Sequence, residues 1–204
     1  MTLKILSKSK IAHKKTAIII KNGGIAIIPT ETVYGFAVNA FDIEAIKKVY
    51  DIKNRNCNKP LIVMASNIES LKTIVRIPHG ALKIIQKFWP GQLTLIFPTT
   101  EIGQILSGGK KSLGVRIPNN KFVLKLLKEL NIPIFTTSVN ISNNISAKNL
   151  KETSRFNNIV DVMVDGGQCK FSFESTIIDM VKFPYVIVRK GCLDINKILK
   201  YIAY

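Results

Sequence analysis

Apolar positions along this chain follow two periods. Short apolar runs bounded by Gly, Pro or Asn alternate with segments whose apolar residues recur three and four apart. The runs predict strands at Ile25 to Ile28, Leu61 to Ala65, Leu93 to Phe97, Ser112 to Arg116, Ile132 to Thr136, Val160 to Val164, Ser175 to Asp179 and Tyr185 to Val188. A helix is expected over residues 8–22, stopped by Gly23-Gly24. Asp42 caps a second, running to about Ile52 with Ile43, Ile46 and Val49-Tyr50 on one face. A third spans Pro78 to Phe88, with Leu82, Ile85 and Phe88-Trp89 turned inward. Asn119 opens a fourth, to about Leu130, and Asp194 caps the last. Strands alternating with helices indicate an α/β protein. The strand-rich final third indicates a sheet of mixed parallel and antiparallel direction rather than a regular doubly wound one.

No repeat, low-complexity tract or Pro/Gly/Ser-rich linker divides the 204 residues, so residues 1–204 read as a single domain. At 47% hydrophobic the chain can bury a sizeable core. The net charge is +17, from 30 basic and 13 acidic residues, which draws polyanions such as ATP or RNA. Abundant Lys, Ile and Asn are also what an AT-rich genome would impose, and both sources of the charge stay open. Cys57, Cys169 and Cys192 are far apart, which excludes zinc knuckles and argues against a disulfide framework. Free thiols suit a reducing compartment. Residues 1–22 carry six Lys, but the apolar run Ala17 to Ile20 is too short for a signal peptide. No run approaches the ~18 apolar residues of a membrane span. The expectation is a cytoplasmic protein without a membrane partner.

Chemistry concentrates at the ends of the expected strands. Ile28-Pro29-Thr30-Glu31-Thr32-Val33-Tyr34-Gly35 sets hydroxyls and a phenol after a buried run, where open α/β sheets put their ligands. Lys53-Asn54-Arg55 and Lys59-Pro60-Leu61 supply cations suited to a triphosphate. Four further segments place polar groups similarly: Trp89-Pro90-Gly91-Gln92-Leu93-Thr94, Gly114-Val115-Arg116-Ile117-Pro118, Thr136-Thr137-Ser138-Val139-Asn140-Ile141-Ser142 and Glu174-Ser175-Thr176-Ile177-Ile178-Asp179. Arg189 ends the final strand. Arg55, Arg116 and Arg189 are three of only five Arg in a Lys-dominated chain, which suggests that the bidentate fork is needed there for carboxylate or phosphate.

In this order and spacing, the segments resemble the motif set of the YrdC/Sua5-type (TsaC-like) threonylcarbamoyl-AMP synthases: PT-[DE]-TVYG, K-x-R, KPL, WPG-x-LT, VRxP, TSAN-x-S, ESTVxD and xRxG. The match covers residues 23–192 and is to the short, single-domain form. The resemblance implies a twisted mixed sheet flanked by helices around a large basic cavity. It implies a nucleotidyltransferase making threonylcarbamoyl-AMP from L-threonine, bicarbonate or CO2, and ATP with Mg2+, releasing pyrophosphate, with no dedicated protein metal site. The product would pass to threonylcarbamoyl-transferase machinery that modifies adenosine 37 of tRNAs reading ANN codons. It also implies residue roles. Lys53, Arg55, Ser138, Asn140, Ser146 and Arg189 would face ATP, with Lys53 and Arg55 catalytic and exposed in the cavity. Thr32, Arg116, Thr136 and Ser175 would face threonine, Arg116 clamping its carboxylate. Tyr34 is expected as cavity wall and Trp89 as core.

The chain departs from the pattern in places. Asn56 replaces the Pro of KGRP, Val139 stands in TSAN, and Asn143 replaces a Gly, a position Asn tolerates with φ > 0. Met64 stands where some members carry His, so that contact is unassigned. Gly103 to Ser112 superficially resembles a Walker loop, but its spacing fails and it reads as a surface loop. His13 and His79 lie outside the motifs and read as surface residues. Two other functions compete: a non-enzymatic module of this fold binding tRNA or double-stranded RNA, and a carbamoyltransferase domain of the hydrogenase-maturation kind. The first lacks an RRM or KH signature; the second would bring Cys-rich fingers absent here.

Overall fold

The computed structural model describes residues 1–57 and 61–202, with only the backbone described at Ile202. Lys59 and Pro60 of the expected KPL motif lie outside the described residues.

Among the described residues ten strands form one sheet: β1 (Leu3–Leu6), β2 (Ala26–Ile28), β3 (Gly35–Asn39), β4 (Ile62–Met64), β5 (Leu93–Pro98), β6 (Ser112–Arg116), β7 (Ile134–Ser138), β8 (Val162–Asp165), β9 (Thr176–Asp179) and β10 (Val186–Arg189). Their order is β1-β8-β2-β3-β7-β4-β6-β5-β9-β10. The pairs β1/β8, β2/β8, β4/β6 and β5/β9 are parallel; β2/β3, β3/β7, β4/β7, β5/β6 and β9/β10 are antiparallel. The sheet is therefore mixed, as the strand-rich last third implied.

The helices are α1 (Ala12–Lys21), α2 (Ile43–Lys53), α3 (Ile68–Lys72), α4 (Leu82–Phe88), α5 (Glu101–Leu106), α6 (Lys121–Leu130) and α7 (Asn196–Ile202). Two of them start at side-chain caps that the sequence displays. Asp42 accepts from Ala45 N–H at the head of α2, and Asn120 accepts from both Phe122 and Val123 N–H at the head of α6. Both α2 and α6 end on an Asn in the left-handed region, Asn54 and Asn131.

The two sheet faces bury separate apolar clusters. One face carries α1 and α6, with Ala17, Ile20, Val123, Leu126 and Leu127 over Ala26, Ile28 and Ile134. The other carries the larger cluster, where Ile27, Phe36, Val63, Phe135 and Val115 meet Val49, Leu71, Ile84 and Ile85.

Several elements differ from the sequence expectation. The first helix begins at Ala12, not residue 8, because residues 3–6 form edge strand β1. That strand is mostly exposed, so it has no buried alternation to read. Gly35–Asn39 is a strand enclosed on both faces, which removes the period-2 signal. The expected 78–88 helix opens as a 3₁₀ turn, His79–Ala81. The expected surface loop at 103–112 begins inside α5, which Thr100 caps through Gly103 N–H. The loop proper is Gly108-Gly109, both at positive φ (66 and 86), which Gly adopts freely. His79 is exposed, whereas His13 is only partly so and lies 4.0 Å from Glu129.

Candidate functional site

A cavity of about 150 Å³, open to solvent, lies over the centre of the sheet. Ile62 and Met64 on β4, and Thr136 and Ser138 on β7, line it two residues apart, so each pair shares a strand face. Met64 and Ile28 also belong to the α1/α6 cluster, which puts the cavity on that side of the sheet. Thr30 and Thr32 enter from the end of β2, as the sequence suggested. The floor, however, is the sheet face itself and not only a strand-end crevice.

Of the ten residues expected at the site, seven line this cavity: Arg55, Ser138, Arg189, Thr32, Arg116, Thr136 and Ser175. The described lining residues include three arginines and one carboxylate, Glu174. Tyr34 is wall, as expected. Its hydroxyl donates to Gly167 O (2.9 Å) and accepts from Gly166 N–H (2.9 Å), and burial pushes the phenol up to about 12. Trp89 is core, its indole N–H on Leu93 O at 2.7 Å.

Arg116 ends β6 and is 3% exposed. Its Nη2 pairs with Glu31 Oε1 at 2.7 Å, Nη1 donates to Thr32 Oγ1 at 3.1 Å, and Nε donates to Gly91 O at 2.9 Å. Glu31 Oε1 also accepts from Asn119 N–H, while Oε2 is buried with no hydrogen-bond partner among the described residues. A guanidinium has five N–H groups. Three are committed to the scaffold in these contacts, which leaves two for a ligand carboxylate.

Arg189 ends β10 and is tied to the same region. Its Nε donates to Ser175 O (3.0 Å) and Nη2 to Ser175 Oγ (3.2 Å). Ser175 Oγ also lies 2.8 Å from Thr94 Oγ1. Burial lowers the Arg189 pKa from its ordinary value, and Glu174 counters it. Gly191 permits this crossing: a Cβ there would sit 2.3 Å from Glu174 O. The sets assigned to ATP and to threonine therefore meet at the Arg189–Ser175 contact.

Lys53, Asn140 and Ser146 do not line the cavity. Lys53 corrects the expectation of an exposed cation: it is 1% exposed. Its Nζ donates to Ser138 O (2.5 Å), Asn140 O (2.8 Å) and Asn140 Oδ1 (2.6 Å), and lies 5.6 Å from the Phe36 ring centre. Burial, helped by Arg55, pushes the ammonium down to about 7, and Glu174 opposes this. Arg55, two residues on, does reach the cavity. Its pKa is lowered by burial, which a hydrogen bond with Tyr50 opposes. Ser146, 4% exposed, donates to Glu174 Oε1 at 2.5 Å. Burial pushes Glu174 up, but the Ser146 bond, its own backbone and the charges of Arg189 and Lys148 leave it below the ordinary value.

Sequence reasoning passed over Glu31 and Glu174 as site residues, although both stood inside quoted motifs. The signal was available: each is an acid among hydroxyls in a chain with only 13 acids.

The Sua5/YciO/YrdC family model, described as telomere recombination, matches residues 18–191. A threonylcarbamoyl-AMP synthase from Pyrococcus abyssi (strain GE5 / Orsay) is 34% identical over 209 residues, covering 100% of this chain and 62% of that protein. A putative threonylcarbamoyl-AMP synthase from Methanocaldococcus jannaschii is 36% identical over 184 residues, covering 89% and 86%. The crystal structure of Pyrococcus abyssi Sua5 complexed with L-threonine superposes with a TM-score of 0.93 at 32% identity, covering 99% of this chain and 61% of that one. This chain thus spans about three fifths of the Pyrococcus protein and most of the Methanocaldococcus one. Among the described residues no helix is long and apolar enough to cross a membrane.

Proposed function

The chain belongs to the Sua5/YciO/YrdC family, and from that premise we propose that it is a nucleotidyltransferase that makes L-threonylcarbamoyladenylate. Threonine and bicarbonate (or CO2) form a carbamate, whose carboxylate attacks the α-phosphorus of ATP and expels pyrophosphate. The observation that carries this reading is the single cavity in which Arg55 and Arg189 stand beside Arg116, Thr32 and Ser175. Attack at phosphorus depends on positioning and charge neutralisation more than on a covalent nucleophile. An Arg-lined cavity without a Ser-His-Asp arrangement suits that chemistry.

In this reading Arg55 and Arg189 face the phosphates, with Ser138 beside them and Lys53, Asn140 and Ser146 supporting the nucleotide half. Arg116 offers its two remaining N–H groups to the threonine carboxylate, and Thr32, Thr136 and Ser175 supply polar contacts. The pocket's affinity for an amino acid is supported by the threonine complex of the Pyrococcus protein. Mg2+ would arrive on the triphosphate. Among the described residues no three His, Cys, Asp or Glu converge to hold a metal, and a small hard cation keeps phosphate oxygens and water as ligands. Residues 1–204 act as one domain in the cytoplasm. The product passes to a downstream transferase for tRNAs reading ANN codons, and any tRNA contact rests on the +17 charge.

The test is direct. The purified protein is incubated with threonine, bicarbonate, ATP and Mg2+, and products are read by mass spectrometry. Threonylcarbamoyl-AMP and pyrophosphate are expected, both dependent on threonine and bicarbonate. RNA binding without nucleotide turnover would support the non-enzymatic alternative instead.

A further inference from the structure

We propose that Lys53 is a positioning residue: its buried ammonium fixes the turn after β7 so that Ser138 presents a hydrogen-bond acceptor to the cavity, and it touches no substrate. This deepens the synthase reading and rests on it.

The argument starts from donor counting. An ammonium has three N–H groups and no acceptor. Ser138 O, Asn140 O and Asn140 Oδ1 take all three, at 2.5, 2.8 and 2.6 Å. At 1% exposure, with the Phe36 ring beside it, Nζ has no open side for a phosphate oxygen. A phosphate contact would first have to break one of these bonds and leave a buried acceptor unpaired.

The backbone holds the same turn from the other end. Lys53 O accepts from Ser142 N–H at 2.9 Å. One residue therefore grips both 138–140 and 142.

The grip sets polarity as well as shape. Lys53 can only donate, so the Asn140 amide must turn its oxygen toward Nζ. Its Nδ2 then donates to Asn144 O. With Oδ1 fixed, the Ser138 hydroxyl donates inward to it at 2.8 Å. Ser138 lines the cavity with its one hydrogen already committed. What it offers a ligand is lone pairs, and those suit an N–H or hydroxyl of the nucleoside or the amino acid. They do not suit a phosphate oxygen, which can only accept.

The experiment compares ATP with inorganic pyrophosphate as titrants, in the wild type, Lys53→Met, Ser138→Ala and the double variant. The wild type should bind both; if it binds neither, the synthase reading falls and takes this one with it. The expected result for Lys53→Met is a loss of at least ~10-fold for ATP and less than ~3-fold for pyrophosphate. Ser138→Ala should add nothing to it, because residues acting through one network are not additive. Equal losses of ATP and pyrophosphate, or additive losses, would overturn the positioning role while leaving the synthase reading intact. Should Lys53→Met not fold, the wild type still decides. The Lys53 ammonium protons should stay protected from exchange when ATP binds. A hydrogen-bond coupling from Nζ to phosphorus would refute the proposal.

Discussion

At the scale of single residues, the cations in and beside the cavity differ in what already occupies their N–H groups. Arg116 has two to spare and Lys53 has none. For Arg116→Lys, the three donors of a lysine must cover Glu31, Thr32 and Gly91 before any ligand is served. The threonine KM is expected to rise ~10-fold or more, from the loss of a charge-assisted contact of ~1.5–3 kcal/mol, with the ATP KM nearly constant. Steady-state kinetics with each substrate varied separately checks this. A change confined to ATP would move Arg116 to the nucleotide half. Lys53 leads to a prediction about pH. Its pKa is lowered to about 7 by burial and Arg55, against the pull of Glu174. Between about pH 7 and the ordinary lysine range the unfolded chain binds the extra proton, so this group makes the fold more stable as pH rises. The neutral amine, however, has two N–H groups for three acceptors. Unfolding free energy and ATP affinity should therefore move in opposite directions above pH 7, the first rising and the second falling, as denaturant titration and calorimetry would show. Parallel trends would separate Lys53 from the turn.

At the scale of elements, caps and turns decided where helices begin, and the sequence displayed most of them. Asp42 was readable because an Asx side chain ahead of a periodic run has a local cause, whereas Asn119, read as the opening of α6, lies one residue ahead of the actual cap, Asn120. Asn120→Ala removes an acceptor for two N–H groups at the head of α6. A cost of about 1 kcal/mol is expected, seen as a lowered denaturation midpoint with unchanged kinetics. Elements set by distant partners were not readable. Strand β3 takes its identity from β2 and β7 on its two sides. Edge strand β1 is held by β8, more than 150 residues later. The same limit explains the site. Arg55, Arg116 and Arg189 stood out because Arg is scarce here, whereas the burial of Lys53 depends on the β7 turn folding back over it. The Gly108-Gly109 turn offers a separate check on the phosphate site. Lys110 and Lys111 follow it and do not line the Arg cavity, so Lys110→Ala with Lys111→Ala should leave the ATP KM within ~2-fold. A larger change would mean that phosphate binds elsewhere.

At the scale of the whole molecule, the ten-stranded sheet carries its cavity on the face that α1 and α6 cover only in part. Removing residues 1–6 would strip β1, together with the Thr2 hydroxyl that bonds Val160 O and Asn158 N–H. The loss of these edge bonds, each worth ~0.5–1.5 kcal/mol, should lower the melting temperature while leaving KM values close to wild type, since β1 lies three places from β3 in the sheet. Thermal melts alongside kinetics would test that. The strand order also bears on how the chain is synthesised. Strands β2 and β3 are made early, yet β3 waits for β7 and β2 waits for β8 to complete their pairing. A ribosome must deliver about a hundred more residues after β3 before the sheet's centre can close, and long-range pairing of this kind is slow. During that interval the apolar strands β2 and β3 stand open to other nascent chains, the situation in which chaperones are needed. Because Arg189 comes from β10, its guanidinium is the last part of the cavity lining to emerge. An incomplete chain therefore holds the hydroxyls of the cavity before it holds all of its positive charge.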